Sequence, residues 1–336
     1  MIVSSRLFGL GLVQQDLWLE KRLNPTRASY NRKLCCMEGT RQSILNEIIT
    51  WVTNGSGSSN IYWIYGLPGI GKTSLAHSIC KTLDQQNQLI GTFFCQRDDT
   101  NSSEPRNILP TLLYKLAENS PAFRRIVAER LRSKPNMTTE SMEDTEVLDF
   151  ILTLPSQPNE HSRAFVIDAL DESGNHRSRR DVLKTLTDAA ALAPWLKIII
   201  TSRPEADIER FFSSLTASSY SSYDLTTDHK ATDDLRTFAQ SQFDAVASDW
   251  GLPTPWPEES DFNRVISRAN GLFIFIKTLI LVLQNSNNAE MCLKEALQGS
   301  AGTGLKSLYG LYSSILKARS NIDGCWQMIV VTTTAQ

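Results

Sequence analysis

The sequence predicts an α/β protein in which a parallel sheet carries helices on both faces and is followed by an all-helical region. Short apolar runs alternate with helical patterns between residues 38 and 226. These runs are apolar throughout instead of at every second position, which is typical of strands buried on both faces of a parallel sheet. From about residue 228 onward only helical patterns remain.

The first predicted elements are a helix, a connector, a strand and a second helix. Residues 38–52 place their apolar side chains on one helical stripe, and residues 61–65, IYWIY, form a β-branched and aromatic run. Residues 54–60, NGSGSSN, are predicted to be a flexible connector between them. A helix at about 72–83 follows the strand.

Four further strands and a series of helices complete the prediction. The strands are placed at 90–95, 164–170, 196–201 and 222–226. The helices that accompany them are placed at about 107–119, 121–132, 141–153 and 179–193, with a linker at 155–162. The C-terminal helices are predicted at 229–247, 258–269, 271–284, 289–298 and 305–318.

Composition favours a cytoplasmic globular protein. The net charge of -2 gives no reason to expect nucleic acid or an anionic membrane as a partner. Six scattered cysteines without a C-x-x-C pair suit reduced thiols, and the four histidines show no metal-binding spacing. The apolar run at 271–283 is interrupted by Lys277 and is shorter than the roughly 20 residues that span a bilayer, so we expect a core helix.

A phosphate-binding loop is predicted directly after the first strand. Residues 66–73, GLPGIGKT, match G-x-x-x-x-G-K-[ST], whose glycines let backbone N–H groups turn toward phosphate oxygens. The N-terminus of the following helix favours the same anion. Lys72 would bind the β- and γ-phosphates, and the Thr73 hydroxyl would ligate Mg²⁺. The predicted nucleotide-binding residues are Gly66, Pro68, Gly69, Ile70, Gly71, Lys72, Thr73 and Ser74.

An acidic turn follows the predicted strand at 164–170. In the sequence AFVIDALDE, Asp168 lies where the apolar run ends, and a carboxylate there can hold Mg²⁺ through water. Asp171 or Glu172 could orient or deprotonate the attacking water. An acidic turn without a function is the alternative, and the phosphate loop upstream makes it the weaker one.

Arginines supply the remaining candidates. Arg203 follows the strand at 196–201, on the sheet edge where α/β sheets bind ligands, and its guanidinium could sense a γ-phosphate. A surface arginine before a proline turn is the alternative. The cluster Arg177, Arg179 and Arg180 is interpreted as a solvated helix end, although it could also contact phosphates.

The order of these motifs resembles that of a NACHT domain. The chain is most similar to the fungal heterokaryon-incompatibility and nephrocystin-like group of STAND P-loop NTPases, through GLPGIGKTSLAHSI, GTFFCQRDD, ILPTLLYKLA, AFVIDALDE, IIITSRPE and GLFIFIKT. The resemblance extends from about residue 35 to 316. It implies a P-loop NTPase core at 61–227, after a helix and linker at 35–60, and a helical lid with the start of a winged-helix region at 228–318. Residues 1–34 would be a leader and 319–336 a tail.

The resemblance also implies a function. Such a protein would bind ATP or ADP with Mg²⁺, GTP being possible, and would hydrolyse ATP slowly. Asp168 would hold the metal, Asp171 and Glu172 would support hydrolysis, and Arg203 would be the sensor. ADP would hold a closed monomer, whereas ATP would favour a form that self-associates or binds another signalling protein. Family members usually continue into winged-helix and repeat segments, so the chain is expected to represent a core without its sensor.

Two other functions stay open. A nucleotide-binding scaffold would bind nucleotide without hydrolysing it. A small-molecule kinase would use the same loop, but it would need a second substrate pocket and a short lid instead of a long helical region. Because the chain lacks an Asn/Thr-Lys-x-Asp sequence that reads guanine, ATP is favoured over GTP.

Overall fold

The computed structural model describes residues 17–53, 59–135, 144–152, 162–228, 230–298 and 302–318. The chain divides into two compact units. We call Met1–Cys35, Ile44–Tyr65 and Ala76–Tyr223 the sheet unit, and Cys36–Ser43, Gly66–Leu75 and Asp224–Gln336 the helical unit. The predicted tail, the first half of the predicted leader and most of the connector at 54–60 and of the linker at 155–162 lie outside the described residues.

The described part of the chain forms a sheet of five strands in the order β2-β3-β4-β1-β5. Their bounds are Ile61–Tyr65 (β1), Leu89–Phe94 (β2), Arg163–Asp168 (β3), Leu196–Ser202 (β4) and Ser221–Asp224 (β5). The pairs β1–β4, β2–β3 and β3–β4 are parallel. All seven residues of the central strand β4 are buried, so both faces of the sheet are covered. The predicted fold class is therefore confirmed.

Helices connect and cover these strands. Their bounds are Gln42–Thr53 (α1), Lys72–Gln85 (α2), Ile108–Asn119 (α3), Pro121–Ser133 (α4), Asp144–Leu152 (α5), His176–Leu192 (α6) and Ala206–Ser214 (α7). Among these seven helices, α7 is the one without a counterpart in the sequence prediction. It contributes the buried Ile208 and Phe212 to the core of the sheet unit.

Part of the segment that the sequence assigned to a leader joins the same core. Residues 17–23 are helical, and Leu19 and Leu23 are fully buried among the side chains of the sheet unit. Burying a leucine side chain contributes about 1.5–3 kcal/mol. This segment is therefore part of the folded domain.

In its described residues, the helical unit contains five helices with a core of their own. They are Ala231–Trp250 (α8), Glu259–Ala269 (α9), Phe273–Gln284 (α10), Ala289–Gln298 (α11) and Leu305–Ala318 (α12). The apolar run predicted as a core helix is α10, whose side chains pack in that core while Lys277 is exposed. Among the described residues, none of the helices has the length and apolar character needed to cross a membrane.

Candidate functional site

The predicted phosphate loop lies between β1 and α2. β1 ends at Tyr65, α2 begins at Lys72, and the loop belongs to the helical unit. Gly69 has φ +78° and Gly71 has φ +99°, a backbone region that side chains other than glycine seldom adopt. The structure thus brings together, in one compact unit, all the residues predicted to bind nucleotide.

Lys72 is held against this loop by its own main chain. Its ammonium donates hydrogen bonds to the carbonyl oxygens of Gly66, at 2.8 Å, and of Leu67, at 3.0 Å. A compact cation therefore lies beside the glycine-rich turn and at the N-terminus of α2. Both features attract a phosphate group.

Residues of the helical unit also hold the other side of the loop. The Ile274 N–H donates to the Gly69 carbonyl at 3.1 Å, and the Thr226 hydroxyl accepts the Leu67 N–H at 3.3 Å. A Cβ atom on Gly69 would lie 2.1 Å from Cγ2 of Ile274, which is far inside contact distance. Only glycine fits at this position, and the sequence pattern alone does not show the contact that demands it.

Arg41 is the main residue at this loop that sequence reasoning missed. Its guanidinium donates from Nη2 to the Ile70 carbonyl at 3.1 Å and from Nη1 to Asp228 at 2.8 Å. Its side chain is only 3% exposed and stacks over the ring of Phe273. The sequence placed Arg41 near the start of an amphipathic helix, and no local pattern connects it with a loop 29 residues away.

The acidic turn lies in the sheet unit, at the end of β3. Asp168 is 2% exposed, and its Oδ1 accepts a hydrogen bond from the Thr201 hydroxyl at 2.5 Å. The same hydroxyl oxygen accepts the Ala169 N–H at 3.0 Å, so Thr201 on the neighbouring strand fixes both the carboxylate and the turn after it. Ala169 has a left-handed backbone conformation, φ +56°, which redirects the chain into the short 3₁₀ turn Leu170–Glu172.

Arg203 joins the two acids of this turn. Its backbone N–H donates to Oδ1 of Asp171 at 2.9 Å, and its guanidinium lies 3.2 Å from Oδ2 of Asp171 and 3.7 Å from Glu172. Burial, and next the charge of Asp171, raise the pKa of Glu172 above its usual range, although Arg203 acts against this shift. A carboxylate with a raised pKa is a better proton acceptor near neutral pH. The two acids therefore differ, since Asp171 is tied to the backbone and Glu172 is suited to proton transfer.

Arg179 braces the same turn, which the interpretation as a solvated helix end did not anticipate. Its Nη1 donates to the carbonyl oxygens of Asp171 and Ser173, at 3.2 and 3.0 Å, and its Nε donates to Asp207 at 2.8 Å. This arginine connects the acidic turn with α7. These contacts account for the burial of the Arg179 side chain, and they assign it a structural role.

Oxygen donors are available for a hard metal ion in both parts of the predicted site. The Thr73 hydroxyl and the Asp168 carboxylate are the ligand types that Mg²⁺ prefers, and Mg²⁺ usually keeps several waters and binds substrate phosphates besides one or two protein groups. The described residues contain no cluster of three or more His, Cys, Asp or Glu that could hold a metal ion. A hydroxyl and a carboxylate oxygen are ligand types that suit Mg²⁺ bound together with a nucleotide.

His77, Cys80 and Cys95 have structural environments. His77 is buried, stacks on Phe94, accepts the Asn31 N–H, and has a pKa lowered by burial to about 4. Cys80 and Cys95 are buried free thiols whose pKa burial raises. These three side chains pack in the interior of the sheet unit.

A comparison with protein families finds a match for the part of the chain that contains most of the sheet and the phosphate loop. The family model described as "Nephrocystin 3, N-terminal" matches residues 39–203, just under half of the chain. That range includes the phosphate loop, the acidic turn and Arg203. The chain has the α/β fold of P-loop NTPases.

Solved structures resemble the chain only distantly. The Walker-type ATPase PABY2304 of Pyrococcus abyssi is 12% identical with a TM-score of 0.49, over 89% of this chain and 79% of that chain. PCH-2 of C. elegans is 14% identical with a TM-score of 0.44, over 76% and 67%. AMPPCP-bound DnaA from Aquifex aeolicus is 13% identical with a TM-score of 0.42, over 79% and 68%. No curated protein sequence matches the chain.

Proposed function

We propose that this protein is a nucleotide-controlled switch of the NACHT/STAND class, which binds ATP with Mg²⁺ and hydrolyses it slowly. The observation that carries the proposal is the presence in one chain of a glycine-rich phosphate loop and of a strand-end acidic turn whose Glu172 has a raised pKa. A loop of this kind binds phosphate, and a poised carboxylate adds the means to hydrolyse a phosphoanhydride.

In this proposal the loop binds and the acidic turn performs the chemistry. The N–H groups of residues 69–74 and the Lys72 ammonium would bind the β- and γ-phosphates. Thr73 and Asp168 would hold Mg²⁺, which when bound neutralises charge on the phosphate oxygens. Glu172 would accept a proton from the attacking water. Asp171 would orient Arg203, which would sense the γ-phosphate.

The nucleotide could control the conformation of the protein because the phosphate loop belongs to the helical unit. The loop packs against α10 and accepts hydrogen bonds from Ile274 and Arg41, so a phosphate bound to it would act directly on the helical unit. A γ-phosphate adds charge and acceptors in one nucleotide state only, which can bias a two-state element. We propose that ATP in this way promotes self-association or the binding of another signalling protein.

Thermal unfolding with Mg²⁺ and ATP, ADP or GTP tests nucleotide binding. A ligand at 100 times its Kd stabilises a protein by about 2.7 kcal/mol, which corresponds to a shift of about 5–10 °C for a domain of this size. We expect this shift for ATP and ADP in the wild type, and we expect its loss in Lys72→Ala. The variant Lys277→Ala replaces an exposed lysine and serves as the control, which should retain the shift. No shift with any nucleotide would refute the proposal.

Hydrolysis separates the switch from a scaffold that only binds. Phosphate release measured in single turnover should be slow in the wild type and lost in Glu172→Gln, whose nucleotide affinity should be retained. Binding without any phosphate release in the wild type would replace the switch by a non-hydrolysing scaffold.

A further inference from the structure

Two consecutive carbonyl groups of the phosphate loop are bound from the helical unit. The Gly69 carbonyl accepts the Ile274 N–H at 3.1 Å, and the Ile70 carbonyl accepts Nη2 of Arg41 at the same distance. Both donors are fixed. Ile274 lies in the first turn of α10, and Arg41 is buried.

These two bonds determine the direction of two N–H groups. The peptide bonds of the loop are trans, so the C=O and the N–H of each peptide plane point in opposite directions. Holding the Gly69 carbonyl therefore directs the Ile70 N–H to the other side, and holding the Ile70 carbonyl does the same for the Gly71 N–H. Successive N–H groups that converge on one side form an anion-binding concavity.

The guanidinium of Arg41 is suited to this task. One nitrogen binds the Ile70 carbonyl while another forms an ion pair with Asp228, whose side chain is 8% exposed. The Arg41 backbone N–H donates to Asp234, and its guanidinium lies over the ring of Phe273 at 5.3 Å. A planar fork serves two acceptors in one fixed geometry, which a lysine ammonium on a flexible stem does not.

We propose that Arg41 is a positioning residue of the phosphate loop, which turns the Ile70 and Gly71 amides toward the phosphates without contacting the nucleotide itself. The Asp228 carboxylate neutralises its charge and holds it in place. The inference rests on the proposed nucleotide-binding function. It predicts that Arg41 contributes equally to every ligand that carries a β-phosphate or its equivalent.

The test compares affinities for ADP, ATP and inorganic tripolyphosphate. The variant is the double substitution Arg41→Gln with Asp228→Asn, which removes the ion pair without leaving one buried charge unpaired. Arg236→Gln, which breaks an exposed ion pair with Glu259 in the same unit, is the matched control. We expect the double variant to bind all three ligands with an affinity lower by a similar factor of about ten or more. The affinities of the control should match those of the wild type. Arg41→Lys should show most of the same loss.

Other patterns of loss would overturn the inference. A loss confined to ATP would make Arg41 a γ-phosphate sensor, and a loss for both nucleotides but not for tripolyphosphate would make it a base or ribose contact. Equal affinities in the double variant and the control would remove Arg41 from the site altogether.

A measurement without ligand separates this inference from the proposed function. Hydrogen exchange of the peptide covering 66–75 should be faster in the double variant than in Arg236→Gln, because the loop amides lose their fixed orientation. If the wild type bound none of the three ligands, the proposed function would fail. Unchanged exchange in the loop would instead refute the positioning role of Arg41.

Discussion

Gly69 lies where the phosphate loop contacts α10, and replacing it with alanine tests that contact. Two costs follow from the structure. Alanine at φ +78° costs about 1–2 kcal/mol in backbone conformation. Its Cβ atom would also lie 2.1 Å from Cγ2 of Ile274, and an overlap of this kind in a packed region adds about 1–3 kcal/mol.

Gly39 offers a matched control in the same unit. Its φ is +86°, so alanine has a similar conformational cost there, but no atom lies within 4 Å of the added Cβ. We therefore expect Gly39→Ala to lower the free energy of unfolding by about 1–2 kcal/mol and Gly69→Ala by about 2–5 kcal/mol. Alanine also restricts the unfolded chain, and because this effect is common to both variants it cancels in the comparison.

Urea unfolding followed by circular dichroism would measure both variants. Removing the opposing side chain should relieve the clash. The double variant Gly69→Ala with Ile274→Ala should therefore lose less free energy of unfolding than the two single variants lose in sum. Equal losses in the free energy of unfolding for Gly39→Ala and Gly69→Ala, with no coupling to Ile274, would refute the claim that α10 packs closely against the loop. Gly69→Ala should also lose the nucleotide-dependent thermal shift that Gly39→Ala retains.

Three further predictions concern the sheet unit. Thr201→Val removes the hydroxyl that holds Asp168 and should weaken the Mg²⁺-dependent part of nucleotide affinity by about tenfold in a Mg²⁺ titration, whereas Thr201→Ser should not. Because the pKa of Glu172 is raised, the folded state holds this proton more tightly than the unfolded chain, so stability falls as pH rises from about 4.5 through the raised pKa. Unfolding of Glu172→Gln across this range should lack that slope. The pKa of His77 is lowered from 6.5 to about 4, so the unfolded chain takes up its proton first and stability falls by about 3 kcal/mol as pH drops between these values. His77→Gln should flatten this dependence, and an unchanged slope would contradict a buried neutral imidazole.

Local patterns were sufficient to predict the sheet, most helices and the phosphate loop. The strand IYWIY and the glycines after it are contiguous, and the backbone conformation of such a segment depends mainly on its own residues. The acidic turn was predictable for the same reason, because it directly follows a buried strand. Helix α7 was missed because only a few apolar residues in its nine face the core.

Tertiary structure decided how these segments are supported and how similar residues differ. Arg41 and Asp228 are 187 residues apart, and no periodicity in either segment indicates that they form a buried pair. Asp171 and Glu172 are adjacent acids in the sequence, and only the folded chain shows that the Arg203 backbone fixes one while burial raises the pKa of the other. A motif states which groups a short segment carries. Their orientation and electrostatic environment come from distant residues, whose approach depends on the path of the whole chain.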